Sequence, residues 1–271
     1  MKFAIALSFA ASFALGRDLH ETSMLDYQYM QYCALFSKHA HDLEEYNKRM
    51  LEFGKTQKYI AQFNMKHDTH FLGHNAYSDW TDEERAHFLS TGIVGHLKDH
   101  EHYKHQFARL QAESIPDFVN WVEHGAVSAV KKDYASCASS WANTAIDVIE
   151  GDVFLKTGKA IQLSPQQLLD CDHASWGCHG GLYTNAFEYA IDHAIMLEKD
   201  YPYFGKPQLC KEDAKKGKVK VTNFINVLPH DADQLKIAVK LGPVAASLST
   251  SSKLFQFYKG GVISTHDCSD D

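Results

Sequence analysis

Six cysteines occur in the chain, and five of them, Cys137, Cys171, Cys178, Cys210 and Cys268, fall in its second half. Nothing else in the sequence restricts the fold as strongly, because each paired cysteine ties two distant points of backbone together. Whether they pair depends on compartment. Lys2 precedes an apolar run over residues 3–15, and Ala14-Leu15-Gly16 then offers small residues in signal-peptidase register before polar Arg17-Asp18. The run is too short to span a bilayer, so residues 1–16 read as a cleaved secretory signal rather than a buried first helix. An oxidising lumen follows, where cysteines form disulfides. A zinc site built on Cys171, His173, Cys178 and His179 is the competing use, but the spacing is not a C-x2-C pair and the compartment favours disulfides.

The rest of the chain divides into three stretches. Residues 24–66 contain no proline and one glycine, Gly54, and are expected to be helical throughout. Leu43, Tyr46, Met50, Phe53, Tyr59, Ile60 and Phe63 would line one broad apolar face, as in a helical hairpin. A polar, histidine-rich stretch over residues 90–113 reads as an exposed linker or tail. Its His96, His100, His102 and His105 suit a solvated, pH-sensitive face better than a metal site. After Ile115-Pro116 come the cysteines, glycine doublets and short β-branched runs of the main domain. Hydrophobic residues make up 45% of the chain, as in a packed globular protein. A net charge of -7 argues against a nucleic-acid partner, because phosphate binding needs a basic face. No later segment is long and apolar enough to hold a membrane, and a monomer is expected.

Within the main domain, Cys137-Ala138-Ser139-Ser140-Trp141 resembles the C-G-[SA]-C-[WY] nucleophile segment of papain-like cysteine proteases. Residues 163–172, LSPQQLLDCD, resemble that family's L-S-x-Q-x-L-x-D-C, and residues 177–181, GCHGG, its G-C-x-G-G. Tyr201-Pro202-Tyr203, Gly242-Pro243-Val244 and the residues 258–262, YKGGV, follow in the family's order. The region before it agrees. Glu45, Arg49, Phe53, Ile60 and Asn64 fall at the spacing of the ERFNIN signature of cathepsin L-type propeptides, with Thr56 in place of its first Asn. Gly73, Asn75, Tyr77 and Asp79 resemble the G-x-N-x-F-x-D signature, with Tyr for Phe.

The resemblance implies an α+β, papain-like two-lobe fold, with a helical left lobe and an incomplete β-rich right lobe, preceded by a helical propeptide domain. Its segments would be the signal at 1–16, an I29-type inhibitor propeptide at 17–113 and a peptidase domain at 114–271. It also implies disulfides Cys137–Cys178 and Cys171–Cys210, with Cys33 left unpaired. No cofactor or metal is implied.

Family chemistry uses a thiolate at a helix N-terminus, ion-paired with a histidine, beside a glutamine that helps hold the oxyanion. Counting back from Trp141 places Ser140 in the nucleophile's position. A hydroxyl is far less acidic than a thiol, so the helix dipole does not ionise it. The glutamine's register falls on Tyr134, or on Asp133 if an insertion is placed differently. The family's histidine follows a cysteine like Cys268, and the sequence stops at Asp271 before that point; His266 lies on the wrong side of Cys268 to serve. Gly180 and Gly181 resemble the glycines that pair with an extended peptide, and Leu182, Tyr183 and Ser247 fall where the specificity pocket is lined; for Leu182 and Tyr183, ordinary packing is an equal alternative.

Three readings follow. One is a cysteine-type endopeptidase by lineage, acting on peptide or protein substrates, with its activity very weak or nil. A second is a non-catalytic pseudoprotease that binds peptides, or inhibits a related cysteine protease through its propeptide. A third is a sequence that continues past Asp271 into the missing residues. The expected destination is the secretory pathway, ending in a lysosome-like vacuole or outside the cell.

Overall fold

A computed structural model describes residues 24–90, 109–111, 114–130, 137–248 and 250–263 of the chain, with only the backbone at 87–90. The signal, the linker histidines, Asp133, Tyr134, His266 and Cys268 lie outside the described residues. The chain forms two units, one up to Leu89 together with Leu248 onward, the other Ser90–Ser247.

In the first unit, the expected single helical stretch is two helices. Helix α1 covers residues 24–36 and α2 covers Leu43–Asn64. Ser37, at φ 53, turns the chain between them. Asp42 then caps α2, its carboxylate accepting from the Glu45 amide at 2.8 Å, while Glu45 accepts from the His41 amide at 2.9 Å. This D-x-x-E pair is a reciprocal cap, and it was available in the sequence as a helix start. Tyr29 and Tyr32 of α1 pack on Met50 and Phe53 of α2. The expected apolar face holds from Met50 onward, but Leu43, the first residue of α2, is 72% exposed. Thr56, absent from the expected face, is buried.

Strand β1 (His70–Leu72) follows, then α3 (Asp82–Ser90). The signature residues act as clamps. Asn64 holds Leu72 from both sides, donating to its carbonyl at 2.9 Å and accepting from its amide at 2.8 Å. Arg49 ion-pairs with Glu84 of α3 at 2.5 Å. Asp79 accepts from Tyr29 and Tyr32 and pairs with Lys38 at 3.0 Å.

The later segment of this unit carries α8 (Lys253–Gln256) and β4 (Tyr258–Gly261). Strand β4 runs antiparallel to β1, with His70 opposite Gly261 and Phe71 opposite Gly260. Gly261 has φ 95, and a Cβ there would collide with the Thr69 carbonyl and His70, so glycine is required. Ile60, Phe63, Leu72, Leu254 and Phe257 form the core beneath. Residues 248–263 thus fold with the propeptide-like helices, and compactness divides the chain differently from the sequence boundary at 113/114.

The second unit is centred on helix α4 (Ser140–Thr157), which packs against α5 (Pro165–Cys171) and α6 (Tyr183–Asp192). Trp141, Ala142, Ala145, Ile146 and Ile149 of α4 meet Leu163, Leu168, Phe187 and Ile195 in one core. Gly158 at φ 70 ends α4. Gly151 lies under Pro243, whose Cγ would stand 2.8 Å from an added Cβ. Strands β2 (Ile195–Met196) and β3 (Gly217–Val219) pair antiparallel, and α7 covers Ala232–Leu241. The expected β-rich lobe therefore shows little ladder among the described residues. Residues 220–225 and 243–247 have no regular secondary structure.

Candidate active site

Two disulfides build the scaffold, Cys137–Cys178 and Cys171–Cys210, as the motif resemblance implied. They close separations of 41 and 39 residues, which in the chain-entropy account contributes roughly 3–4 kcal/mol each. Cys171 and Cys178 are thereby committed to sulfur partners and not to a metal. Cys33 remains a free, half-buried thiol raised above its ordinary pKa by burial.

The first disulfide sets residues 137–139 beside residues 177–181. The Ala138 amide donates to the Cys178 carbonyl at 3.0 Å, and the Trp141 indole N–H donates to the Gly177 carbonyl at 3.1 Å. Helix α4 begins between these anchors. Ser140 is its first residue and is exposed, whereas Ser139 before it is fully buried. The Ser139 hydroxyl shares a 2.5 Å hydrogen bond with the Tyr203 hydroxyl and accepts from the Asn143 side-chain Nδ2 at 3.3 Å. Drawn away in this manner, Ser139 makes no side-chain cap on the helix.

This diversion has an electrostatic consequence. The Ser139 carbonyl accepts from the Ala142 and Asn143 amides, both at 3.0 Å, leaving the Ser140 and Trp141 amides without an acceptor among the described residues. Uncapped N–H groups carry the positive end of the helix dipole. No acidic residue occupies the first turn of α4 to offset it. The Ser140 hydroxyl makes no hydrogen bond with a described histidine, aspartate or glutamate. A positive field is present at this position, and no described base accompanies it.

The second expected cluster is shaped by glycine. Gly180 has φ 109 and its carbonyl accepts from the Trp176 amide at 3.0 Å. An added Cβ at Gly181 would lie 2.6 Å from the Trp141 ring and 2.7 Å from Ser175 Cβ. The Gly181 backbone makes no hydrogen bond among the described residues. Leu182, Tyr183 and Ser247 all line one largely apolar cavity of about 1060 Å³ in this unit; Ser140, Gly180 and Gly181 do not.

Helix α5 supports the arrangement from behind. Ser164 caps it, accepting from Gln167 at 3.1 Å and donating to the Tyr201 carbonyl at 2.6 Å. Buried Gln166 and Gln167 bind the backbone at Phe204, Lys206, Ala194 and Met196. Tyr201 donates to Asp170 at 2.9 Å; burial and that carboxylate push its pKa up to about 12. The L-S-x-Q-x-L-x-D-C motif is thus a set of backbone clamps, which explains its polar content in a buried helix. Sequence reasoning missed Tyr203 as a partner of Ser139. Its only trace is a tyrosine next to a buried motif, which does not specify a contact 64 residues away.

Comparison with known proteins decides the lineage. Residues 115–271 match the model of the papain family cysteine proteases, and residues 29–85 match the cathepsin propeptide inhibitor domain (I29). The chain belongs to the papain family of cysteine proteases. Among curated family members, caricain from Carica papaya is 30% identical over 90% of this chain and 70% of its own length. Procathepsin L from Mus musculus is 35% identical over 72% of this chain, which spans 58% of that protein. Among solved structures, digestive procathepsin L 3 from Tenebrio molitor larval midgut has a TM-score of 0.76 at 27% identity, covering 90% of this chain and 80% of that one. The proform of the ragweed pollen cysteine protease Amb a 11 has a TM-score of 0.79 at 30% identity, covering 92% and 77%. The family fold, with its propeptide inhibitor domain, is therefore the fold of this chain. Among the described residues no helix is long and apolar enough to cross a membrane.

Proposed function

We propose that this chain is a papain-family zymogen that binds extended peptides while cleaving them very weakly or not at all. The observation that carries the reading is Ser140: an exposed hydroxyl at the first position of α4, one residue before the buried Trp141. The field there suits a thiolate, and a serine hydroxyl needs a base to remove its proton during attack. Losing the preferred nucleophile typically costs several powers of ten in rate. Tyr134 would stand in the oxyanion-glutamine position. Gly180 and Gly181 would bind the peptide backbone, and Leu182, Tyr183 and Ser247 its side chain. Residues 17–113 act as the propeptide and 114–271 as the peptidase domain of a monomer, made in the secretory pathway and delivered to a lysosome-like vacuole or outside the cell.

The test offers protein, its propeptide removed by an added protease that is then cleared, a fluorogenic peptide and a thiol-directed covalent inhibitor. The expected result is binding of the peptide with little or no turnover. Turnover abolished by the inhibitor would overturn the proposal.

The intact clamp network of Asn64, Arg49 and Asp79 favours a second activity, inhibition of a related cysteine protease by the propeptide. A pro-segment of residues 17–113 should then inhibit a cathepsin L-type enzyme at nanomolar concentration; absence of inhibition removes this second activity.

A further inference from the structure

Gln234 is the third residue of helix α7 and its amide is buried, with the residue only 6% exposed. A buried primary amide needs partners, and this one finds them on the backbone of a single residue 124 positions away. The Leu110 amide donates to Gln234 Oε1 at 2.7 Å, and Gln234 Nε2 donates to the Leu110 carbonyl at 3.1 Å. Donor and acceptor on one residue are both engaged, as a neighbouring β-strand would engage them. Leu110 itself is half-buried and lines the apolar cavity, while Arg109 and Gln111 on either side are exposed. That alternation is the pattern of an extended segment with one side chain turned inward.

Two further attachments follow along the same helix. The Ser114 carbonyl accepts from Lys240, and the Trp121 indole donates to the Val239 carbonyl at 2.6 Å. The chain from 109 to 121 is thus tied to α7 at its start, middle and end.

The geometry points to a docking site for an extended peptide with an aliphatic central side chain, formed by the Gln234 amide at the mouth of the cavity and filled by Arg109–Leu110–Gln111. Gln234 reads the main chain and the cavity receives the leucine. The site protects the junction between propeptide and peptidase segments from proteolysis until the clamp opens. That junction is the one placed between propeptide and peptidase segments in the proposed function, and its protection is independent of catalysis at Ser140.

Trypsin reads it directly, because the Arg109–Leu110 bond is a cleavage site and a protease cuts such a bond only after local opening. Full-length protein is digested briefly and cleavage at Arg109 is quantified by mass spectrometry, normalised to the urea-unfolded protein. Cleavage at exposed Lys159 serves as the internal reference. Gln234→Met keeps length and removes both hydrogen bonds; Leu110→Ser removes the aliphatic anchor. Each should raise the Arg109 rate roughly tenfold, the equivalent of about 1.4 kcal/mol, with Lys159 unchanged. If Gln234→Met raises both rates, helix α7 itself has been loosened and Leu110→Ser decides the matter. An Arg109 rate within twofold of the parent protein in Leu110→Ser overturns the proposal.

Discussion

At the scale of single residues, two adjacent serines have opposite environments. Ser139 is buried and bonded to Tyr203, while Ser140 is exposed over uncapped amides. Placing a thiol there should expose the field. In a Cys33→Ser, Cys268→Ser background, Ser140→Cys should alkylate with iodoacetamide with an apparent pKa at least about one unit below the ordinary ~8.5 of a free thiol. An ordinary pKa would show that the helix terminus does not act on this position. Gly181 makes a second prediction. Its substitution by alanine presses a methyl into the Trp141 ring, which is itself pinned to Gly177 and cannot retreat. Gly181→Ala should cost about 1–3 kcal/mol in urea unfolding, with a shift in tryptophan emission. Both residues were legible from motif spacing alone. Their environments were not, because Tyr203 and Ser175 reach them only through the fold.

Among elements, the pairing of β1 with β4 depends on residues outside either strand. Strands of three and four residues form few ladder bonds, and Asn64 of α2 supplies two more by gripping Leu72. Asn64→Ala should therefore lower the stability of the first unit by roughly 1–3 kcal/mol and speed hydrogen exchange at the Leu72 amide. Unchanged exchange would mean the ladder holds by itself. The helix boundary at Asp42 was also written in the sequence, as a carboxylate three residues before Glu45. Apolar periodicity runs through this boundary and so concealed it. Residues 220–225 show the reverse case: their β-branched composition favours a strand, but a ladder needs a partner, and among the described residues they form none.

For the molecule as a whole, pH acts through buried histidine. The His74 ring stacks on Phe53 at 4.6 Å, and its Nδ1 is buried without a hydrogen-bond partner. Burial, and secondarily the charge of Lys259, lowers its pKa. A lowered imidazole pKa means that the unfolded chain takes up the proton first, at about 6.5. Stability is therefore complete above that pH and is lost as pH falls through the folded-state value. The first unit should unfold at lower urea at pH 5 than at pH 7.5, and His74→Phe, which keeps the stack, should flatten that difference. An equally steep profile in the variant would assign the effect elsewhere. The acid response expected from the linker histidines concerns residues outside those described; His74 lies within the propeptide core and has a structural reason to respond.

The sequence by itself determined the family, the pro-segment signatures and the serine before Trp141, and through the family resemblance it implied the two disulfides. The first three are local patterns, or fixed spacings that a fold preserves whatever surrounds them. Only the tertiary structure decided that Ser139 is withdrawn from capping α4, that residues 248–263 fold with the first unit, and that Gln234 grips Leu110. Each of these joins backbone or side-chain groups from distant parts of the chain. Their free energy comes from desolvating polar groups beside a specific partner, and the identity of that partner exists only once the chain has folded.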